Sequence, residues 1–138
     1  MPDTVTYSHA EPYISVFPGD PPRPRLPVTL EYHGRAFTTV ALVDSGADVS
    51  AFHTAWAHLL GAQLHSTDAQ AVDGIGGMVA AWYLQLHLVV GGRRFPGRIA
   101  FTDAVGFDVG ILGRDSFFLA FAVGIDEAGK RVLYRPLP

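Results

Sequence analysis

Two clusters of glycine within residues 69–101 constrain the fold more than any other feature of the sequence. The first contains three glycines within residues 74–77, the second is Gly91-Gly92, and both lie between runs typical of β-strands. Glycine readily adopts the positive φ angles that tight hairpin turns require. The segment therefore predicts three strands joined by two hairpins, the middle strand being long.

Strand-like runs also occupy residues 26–32 and 36–43, joined by a short "HGR" turn, and residues 121–135 predict a closing hairpin that turns at Glu127–Gly129. Residues 50–64 have helical apolar spacing and predict a helix ending near Gly61, the expected C′ residue. A short apolar strand and a second short helix are expected on either side of Arg114. These elements predict an all-β domain, closed or sandwiched, with an antiparallel or mixed sheet and one or two short helices.

The N-terminal region differs in composition from the rest of the chain. Seven of the ten prolines lie between residues 2 and 27. Proline disrupts helices and central strands, so we expect an extended, partly ordered Pro-rich arm over residues 1–25 and a folded domain over residues 26–138. Within the arm, "PYISVF" (residues 12–17) is a candidate edge strand.

Composition and length exclude several classes of protein. The chain has 138 residues, a net charge of −3 and no cysteine. A single domain is expected, and the dispersed Lys and Arg residues argue against a nucleic-acid partner. Six scattered histidines and the missing thiolates predict no metal site. Neither a targeting signal nor a membrane-spanning run is visible, so we expect a soluble, cytoplasmic protein without a membrane partner.

The segment "LVDSGAD" (residues 42–48) carries the main chemical signal. An apolar strand runs directly into Asp44, Ser45 and Gly46. A polar turn leaving the core explains such a triplet equally well when it stands alone, because all three residue types favour turns. Two further motifs follow it along the chain, "GIGG" (residues 74–77) and "ILGRD" (residues 111–115).

These three motifs, in this order and at these separations, resemble the retropepsin family, the single-domain aspartic proteases of retroviruses and their cellular and bacterial relatives. The resemblance extends from about Leu26 to about Phe118. It implies the closed β fold of the acid proteases and an aspartic endopeptidase that needs no cofactor. In that chemistry, two aspartates share one proton and activate water.

The number of such motifs in one chain predicts an assembly. The sequence contains one D-S-G, at Asp44, whereas "VDG" (72–74) and "RDS" (114–116) lack the flanking residues of the family pattern. Each chain then supplies half of the catalytic pair. We expect a homodimer, because a twofold axis brings Asp44 beside its symmetry mate.

The resemblance also implies a role for each site residue. Ser45 is expected to hydrogen-bond across the dimer, and Gly46 to permit close backbone approach. An extended peptide substrate is expected to contact a set of residues that includes a glycine-rich flap: Ala47, Asp48, Gly74, Ile75, Gly76, Gly77 and Leu112. Further apolar pocket candidates are Met78, Val105 and Phe107. Arg114 is expected to form a partly buried structural ion pair with Asp48, the alternative being that the two residues are unrelated surface charges. For the glycine-rich segment, the alternative to a flap is a plain hairpin turn.

A non-enzymatic function is the alternative to proteolysis. The same fold would then serve as a dimerisation or peptide-binding module. Position 45 is serine, where viral relatives often have threonine, and the C-terminal hairpin differs from the terminal strands that join viral dimers. The Pro-rich arm is also a candidate to occupy the cleft, or to be a pro-segment that is removed in trans.

Overall fold

The computed structural model describes residues 3–74 and 76–138. In these residues the chain forms ten strands, two short α-helices and one 3₁₀ turn at Ser66–Asp68. No helix in the described residues has the length and apolar character needed to cross a membrane. The elements are β1 (His9–Pro12), β2 (Arg25–Tyr32), β3 (Arg35–Val43), β4 (Ala51–Phe52), α1 (Thr54–Leu59), β5 (Gln70–Gly74), β6 (Gly77–Val90), β7 (Arg93–Phe101), β8 (Val109–Leu112), α2 (Phe117–Ala120), β9 (Phe121–Asp126) and β10 (Arg131–Pro136).

Six strands close into a barrel, which confirms the predicted closed β fold. Their order is β2-β3-β8-β4-β7-β6, and a further pairing of β2 with β6 completes the ring. Strand β5 extends the sheet from β6. The sheet is mixed, since β3 pairs with β8 and β4 with β7 in parallel, whereas the β2–β3, β5–β6 and β6–β7 hairpins are antiparallel, as the glycine turns predict.

Aromatic side chains connect the barrel to a second sheet of three strands in the order β1-β10-β9. Phe121 of β9 lies at the centre of this cluster, with ring centroids 5.1 Å from Phe117, 5.4 Å from Phe95 and 5.5 Å from Tyr134. Phe117 and Tyr134 are at most 2% exposed. Burial of such large rings is among the strongest apolar contributions to stability, so the C-terminal hairpin belongs to the core of the domain.

Helix α1 is shorter than the predicted helix over residues 50–64. Ala51 and Phe52 pair instead with β7 and β8, and Phe52 is fully buried in the barrel. The predicted end of the helix is confirmed. Gly61 has φ +83° and its N–H donates to the His58 carbonyl, while the next N–H donates to the Ala57 carbonyl, as in a Schellman motif.

The N-terminal arm lies against the body of the domain. Strand β1 pairs with β10 as an edge strand, slightly before the predicted segment 12–17. Farther along the arm, Arg25 Nη1 donates to Asp20 Oδ2 at 2.5 Å, and both side chains are buried. The Val16 N–H, and then the Arg25 guanidinium, hold the pKa of the Asp20 carboxyl below its usual value. The arm is thus attached through β1, and the Asp20–Arg25 pair joins two positions within it.

Candidate active site

Asp44 stands at the end of β3, where the chain leaves the barrel. Its N–H donates to the Leu112 carbonyl oxygen at 3.0 Å, so the parallel pairing of β3 and β8 continues one residue beyond the strand. Its Oδ1 accepts a hydrogen bond from the Gly46 N–H at 2.9 Å. The side chain is half-buried. The carboxyl group is therefore oriented by its own turn and remains accessible from outside.

The loop that carries Asp44 crosses the segment after β8 at close range. The Arg114 N–H donates to the Ala47 carbonyl and the Asp115 N–H to the Asp48 carbonyl, both at 2.9 Å. Gly113 lies at the crossing point, where a Cβ atom would be 2.4 Å from the Val49 carbonyl oxygen. Only glycine allows the two backbones to pass this closely. The crossing therefore holds the Asp44 loop against β8.

Two buried hydroxyls support the crossing from below. Ser50 Oγ accepts from the Gly113 N–H at 2.9 Å and lies 2.5 Å from Ser116 Oγ. Ser50 is fully buried and Ser116 is 3% exposed. Sequence reasoning missed this pair, because serine in a polar stretch is normally assigned to a turn. Their positions just beyond the D-S-G and G-R-D motifs were the available signal.

Ser45 and Gly46 face outward from the loop, and both are exposed. Within residues 3–74 and 76–138, the Ser45 hydroxyl makes no hydrogen bond. A Cβ atom on Gly46 would lie 3.2 Å from Asp44 Oδ1, which is a tight contact with the carboxyl group. A side chain at position 46 would therefore press on the candidate catalytic group.

Asp48 and Arg114 are in contact within the chain. Arg114 Nη2 donates to Asp48 Oδ1, which joins the two sides of the crossing. The expectation of partial burial is wrong for this chain, since the two side chains are 84% and 58% exposed respectively. An exposed pair of this kind contributes at most about 1 kcal/mol, far less than a buried pair. Side chains along β8 alternate between half-buried and buried positions, and Leu112, two residues before Arg114, is directed into the core.

The prediction that Leu112 lines a substrate pocket is wrong. Its side chain is fully buried in the hydrophobic core, so it supports the site from within and has no surface to offer a substrate. Ile111, its neighbour on β8, is half-buried on the opposite face. Of the other apolar candidates, Met78 is 63% and Phe107 49% exposed. Phe107 stacks on the Trp56 ring at 5.2 Å and accepts a hydrogen bond from Trp56 Nε1.

The glycine-rich hairpin lies at the end of β5 and β6. Gly74 pairs with Gly77, and φ is +95° at Gly76 and +131° at Gly77. Ile75, the predicted tip residue, lies outside the described residues. Within the described part of the chain, no hydrogen bond joins this hairpin to the Asp44 loop. The structure thus brings together Asp44, Ala47, Asp48 and Arg114.

Histidine and acidic side chains are the ones in this chain that could ligate a metal ion. Among the described residues, no group of three histidine or acidic side chains is arranged to hold a metal ion. A mixed pair near α1 consists of His53 and Asp103, with His53 Nε2 3.5 Å from Asp103 Oδ1. Thr54 also donates to Asp103, so this carboxylate has partners without a metal. The chemistry available at Asp44 is that of a carboxylate.

Comparisons with known proteins agree with this geometry. The family described as "Aspartyl protease" matches residues 28–116, which includes the Asp44 loop, the glycine hairpin and the crossing. The solved structure of EIAV protease complexed with the inhibitor HBY-793 is similar, with 27% sequence identity and a TM-score of 0.54, covering 72% of this chain and 89% of that one. No curated protein matches the chain. With a closed retropepsin-like β fold and a family match over most of its length, the chain belongs to the aspartyl protease family.

Proposed function

We propose that two copies of this aspartic endopeptidase assemble about a twofold axis and cleave peptide bonds with a water held between their Asp44 carboxylates. The observation that carries the proposal is the backbone crossing at Gly113, which presents one oriented, accessible carboxyl group per chain. Carboxylate-catalysed peptide hydrolysis requires two such groups. A twofold axis supplies the second from an identical copy.

The two Asp44 side chains share one proton in the resting pair, so that one acts as a general base and the other as a general acid. The ionised carboxylate takes a proton from the water as it attacks the scissile carbonyl carbon. The protonated carboxyl donates its proton to the carbonyl oxygen, and a tetrahedral diol forms. Proton transfer to the amide nitrogen then releases the amine, and no covalent enzyme intermediate arises.

Ser45 and Gly46 hold the two loops together at the axis. The Ser45 hydroxyl is exposed and lacks a partner within the described residues of its own chain, so it is available to the facing loop. A hydroxyl both donates and accepts, which suits a symmetric pair of contacts. Gly46 keeps the space beside Asp44 open. These contacts would fix the separation of the two carboxylates, on which a shared proton depends.

Extended peptides are the substrate class that the site favours. The glycine hairpin of β5 and β6 would act as a flap, since its glycines supply the backbone freedom needed to open and close over a bound strand. Ala47 and Asp48, beside Asp44, would face the substrate backbone. Exposed Met78 and Phe107 would offer apolar contacts to side chains on either side of the cleaved bond.

Replacement of Asp44 tests the proposal. Asp44→Asn keeps the shape of the side chain but removes the ionisable group, so cleavage of a peptide library should fall by at least about a hundredfold. The matched control is Asp68→Asn, in the exposed 3₁₀ turn, which should retain wild-type activity. Thermal melting and sedimentation must show that both variants fold and assemble like the wild type. Undiminished cleavage by Asp44→Asn would refute the catalytic assignment.

A further inference from the structure

We propose that the buried pair of Asp20 and Arg25 positions Asp44 for catalysis, by fixing the Pro24 carbonyl against the end of β3. The pair lies within residues 14–25 of the N-terminal arm, here termed the arm loop. This inference rests on the proposed function, because Asp44 is the group that the pair would position. The arm loop precedes residues 28–116, which match the aspartyl protease family, so this support lies outside the family match.

Hydrogen bonds hold the end of β3 from two sides. On one side, the Asp44 N–H donates to the Leu112 carbonyl at 3.0 Å. On the other side, the Val43 N–H donates to the Pro24 carbonyl at 2.8 Å. Pro24 immediately precedes β2, which begins at Arg25, so this bond of the β2–β3 ladder is supplied by the arm loop. A shift of Pro24 would therefore move the strand end that carries the Asp44 carboxyl group.

The backbone of the arm loop folds back on itself next to Pro24. Ile14 and Arg23 form an antiparallel bridge, in which the Ile14 N–H lies 3.0 Å from the Arg23 carbonyl and the Arg23 N–H lies 3.2 Å from the Ile14 carbonyl. The Arg25 N–H then donates to the Arg23 carbonyl at 2.8 Å. Both neighbours of Pro24 are thus bonded into the loop, so the position of its carbonyl depends on how the loop is closed.

Asp20 and Arg25 close the loop through their side chains. Arg25 Nη1 donates to the Ile14 carbonyl at 2.9 Å and to Asp20 Oδ2 at 2.5 Å. The same carboxylate oxygen accepts from the Val16 N–H at 3.0 Å. The Asp20 and Arg25 side chains are only 4% and 8% exposed, so water has little access to compete for these bonds. One charged pair therefore ties two backbone groups at the start of the loop to the residue at its end.

Stability alone does not account for a buried charged pair at this place. Removing two charges from water is costly, and apolar side chains of similar volume often stabilise a fold as well or better. Arg25 Nε is also buried, without a hydrogen-bond partner among the residues that the structure describes, which adds to the cost. Apolar side chains, however, cannot bond to the Ile14 carbonyl or the Val16 N–H. What the pair supplies beyond apolar packing is the fixed geometry of the arm loop, and hence of Pro24.

A double substitution separates positioning from stability. Asp20→Leu combined with Arg25→Met replaces the pair by apolar side chains, so the melting temperature should remain close to that of the wild type. The side-chain bonds to the loop backbone are lost, however, and we expect kcat to fall about tenfold with KM changed by less than about twofold, because no contact with substrate is removed. Tyr13→Phe is the matched control. It removes another hydrogen bond of the arm, from Tyr13 Oη to Glu127 Oε1, which reaches the β9–β10 turn and not β3, so kcat should be unchanged.

Hydrogen exchange of the Val43 amide reports the position of the strand end without depending on cleavage. Exchange should be at least about tenfold faster in the double variant than in the wild type, and unchanged in Tyr13→Phe. Asp20→Asn keeps the shape of the side chain and provides the same test if the double variant does not fold. Wild-type kcat in the folded double variant, an equal fall of kcat in Tyr13→Phe, or a Val43 amide equally protected in all variants would overturn the inference. A wild type that cleaves no peptide would refute the proposed function, whereas exchange of the Val43 amide would still decide this inference.

Discussion

Gly113→Ala is the substitution that most directly tests whether the backbone crossing holds the Asp44 loop. The added Cβ would lie 2.4 Å from the Val49 carbonyl oxygen, 2.5 Å from the Val49 carbonyl carbon and 2.9 Å from the Ala47 carbonyl oxygen. All three atoms are backbone, so no side-chain rotation relieves the contact. Real Cβ atoms essentially never approach closer than 3.0 Å, which means that the two segments must separate by about 0.6 Å.

This displacement affects stability and activity by different routes. Overpacking at a rigid site costs about 1–3 kcal/mol of the free energy of unfolding. The hydrogen bonds from Asp44 to Leu112 and from Arg114 to Ala47 span the crossing and would lengthen. A misplacement of about 1 Å can lower a rate by a factor on the order of 100, so we expect a loss of kcat/KM of roughly tenfold to a hundredfold.

Urea unfolding and peptide cleavage together provide the assay for Gly113→Ala. Gly106→Ala is the control for stability, because a Cβ there meets nothing within 4 Å and the backbone does not have a positive φ. We expect this control to change the free energy of unfolding by less than about 1 kcal/mol in either direction. Wild-type stability and cleavage in Gly113→Ala would refute the role given to the crossing.

Three further substitutions follow from the contacts described above. The folded-state pKa of Asp20 lies below its usual value of 3.8. Its contribution to the free energy of unfolding is therefore complete above pH 3.8 and is lost as the pH falls through the folded-state pKa. Asp20→Asn should therefore lower the melting temperature at pH 7, with the difference from wild type shrinking below about pH 4; a constant difference would contradict this. Arg114→Gln should cost less than about 1 kcal/mol and the cost should decline with salt in urea unfolding, whereas a loss of several kcal/mol would show that the pair is buried in the working assembly. Leu112→Ala should lower the free energy of unfolding by about 2–5 kcal/mol in the same assay. A loss of cleavage without a loss of stability would instead indicate that Leu112 contacts the substrate.

Local sequence signals predicted the elements that depend on neighbouring residues. The glycines at 91–92 and the alternation on either side indicated the β6–β7 hairpin, and Gly61 indicated the end of α1. The placement of Asp44 at the end of a buried strand was also visible, since a carboxylate that directly follows an apolar run marks the point where the strand leaves the core. Each of these features is set by backbone conformation within a few residues.

Features set by distant residues were predicted less well. Phe52 has helical spacing with Trp56, but burial in the barrel draws it into β4. The Ser50–Ser116 contact joins residues 66 positions apart, and only the crossing brings them together. Ion-pair burial likewise depends on how the loops lie at the surface, which the spacing of Asp48 and Arg114 does not reveal.

The pairing of the N-terminal arm is also set by residues that are distant in the sequence. Its prolines indicate a segment without helix, and residues 3–25 contain none, but the partner strand β10 lies on the order of a hundred residues later in the chain than β1. No local pattern specifies a pairing of that separation. The arm is ordered by the C-terminal hairpin, by its contact with Tyr134 and by the buried Asp20–Arg25 pair.

Subunit mixing tests most directly whether two chains contribute one Asp44 each. Wild type and Asp44→Asn would be equilibrated at fixed total concentration and varying ratio, with cleavage measured after subunit exchange. If both carboxylates of a dimer are required, activity follows the square of the wild-type fraction, so an equal mixture retains about one quarter of the activity of pure wild type. Activity that falls linearly, to about one half at an equal mixture, would show that each chain works alone and would contradict the shared site.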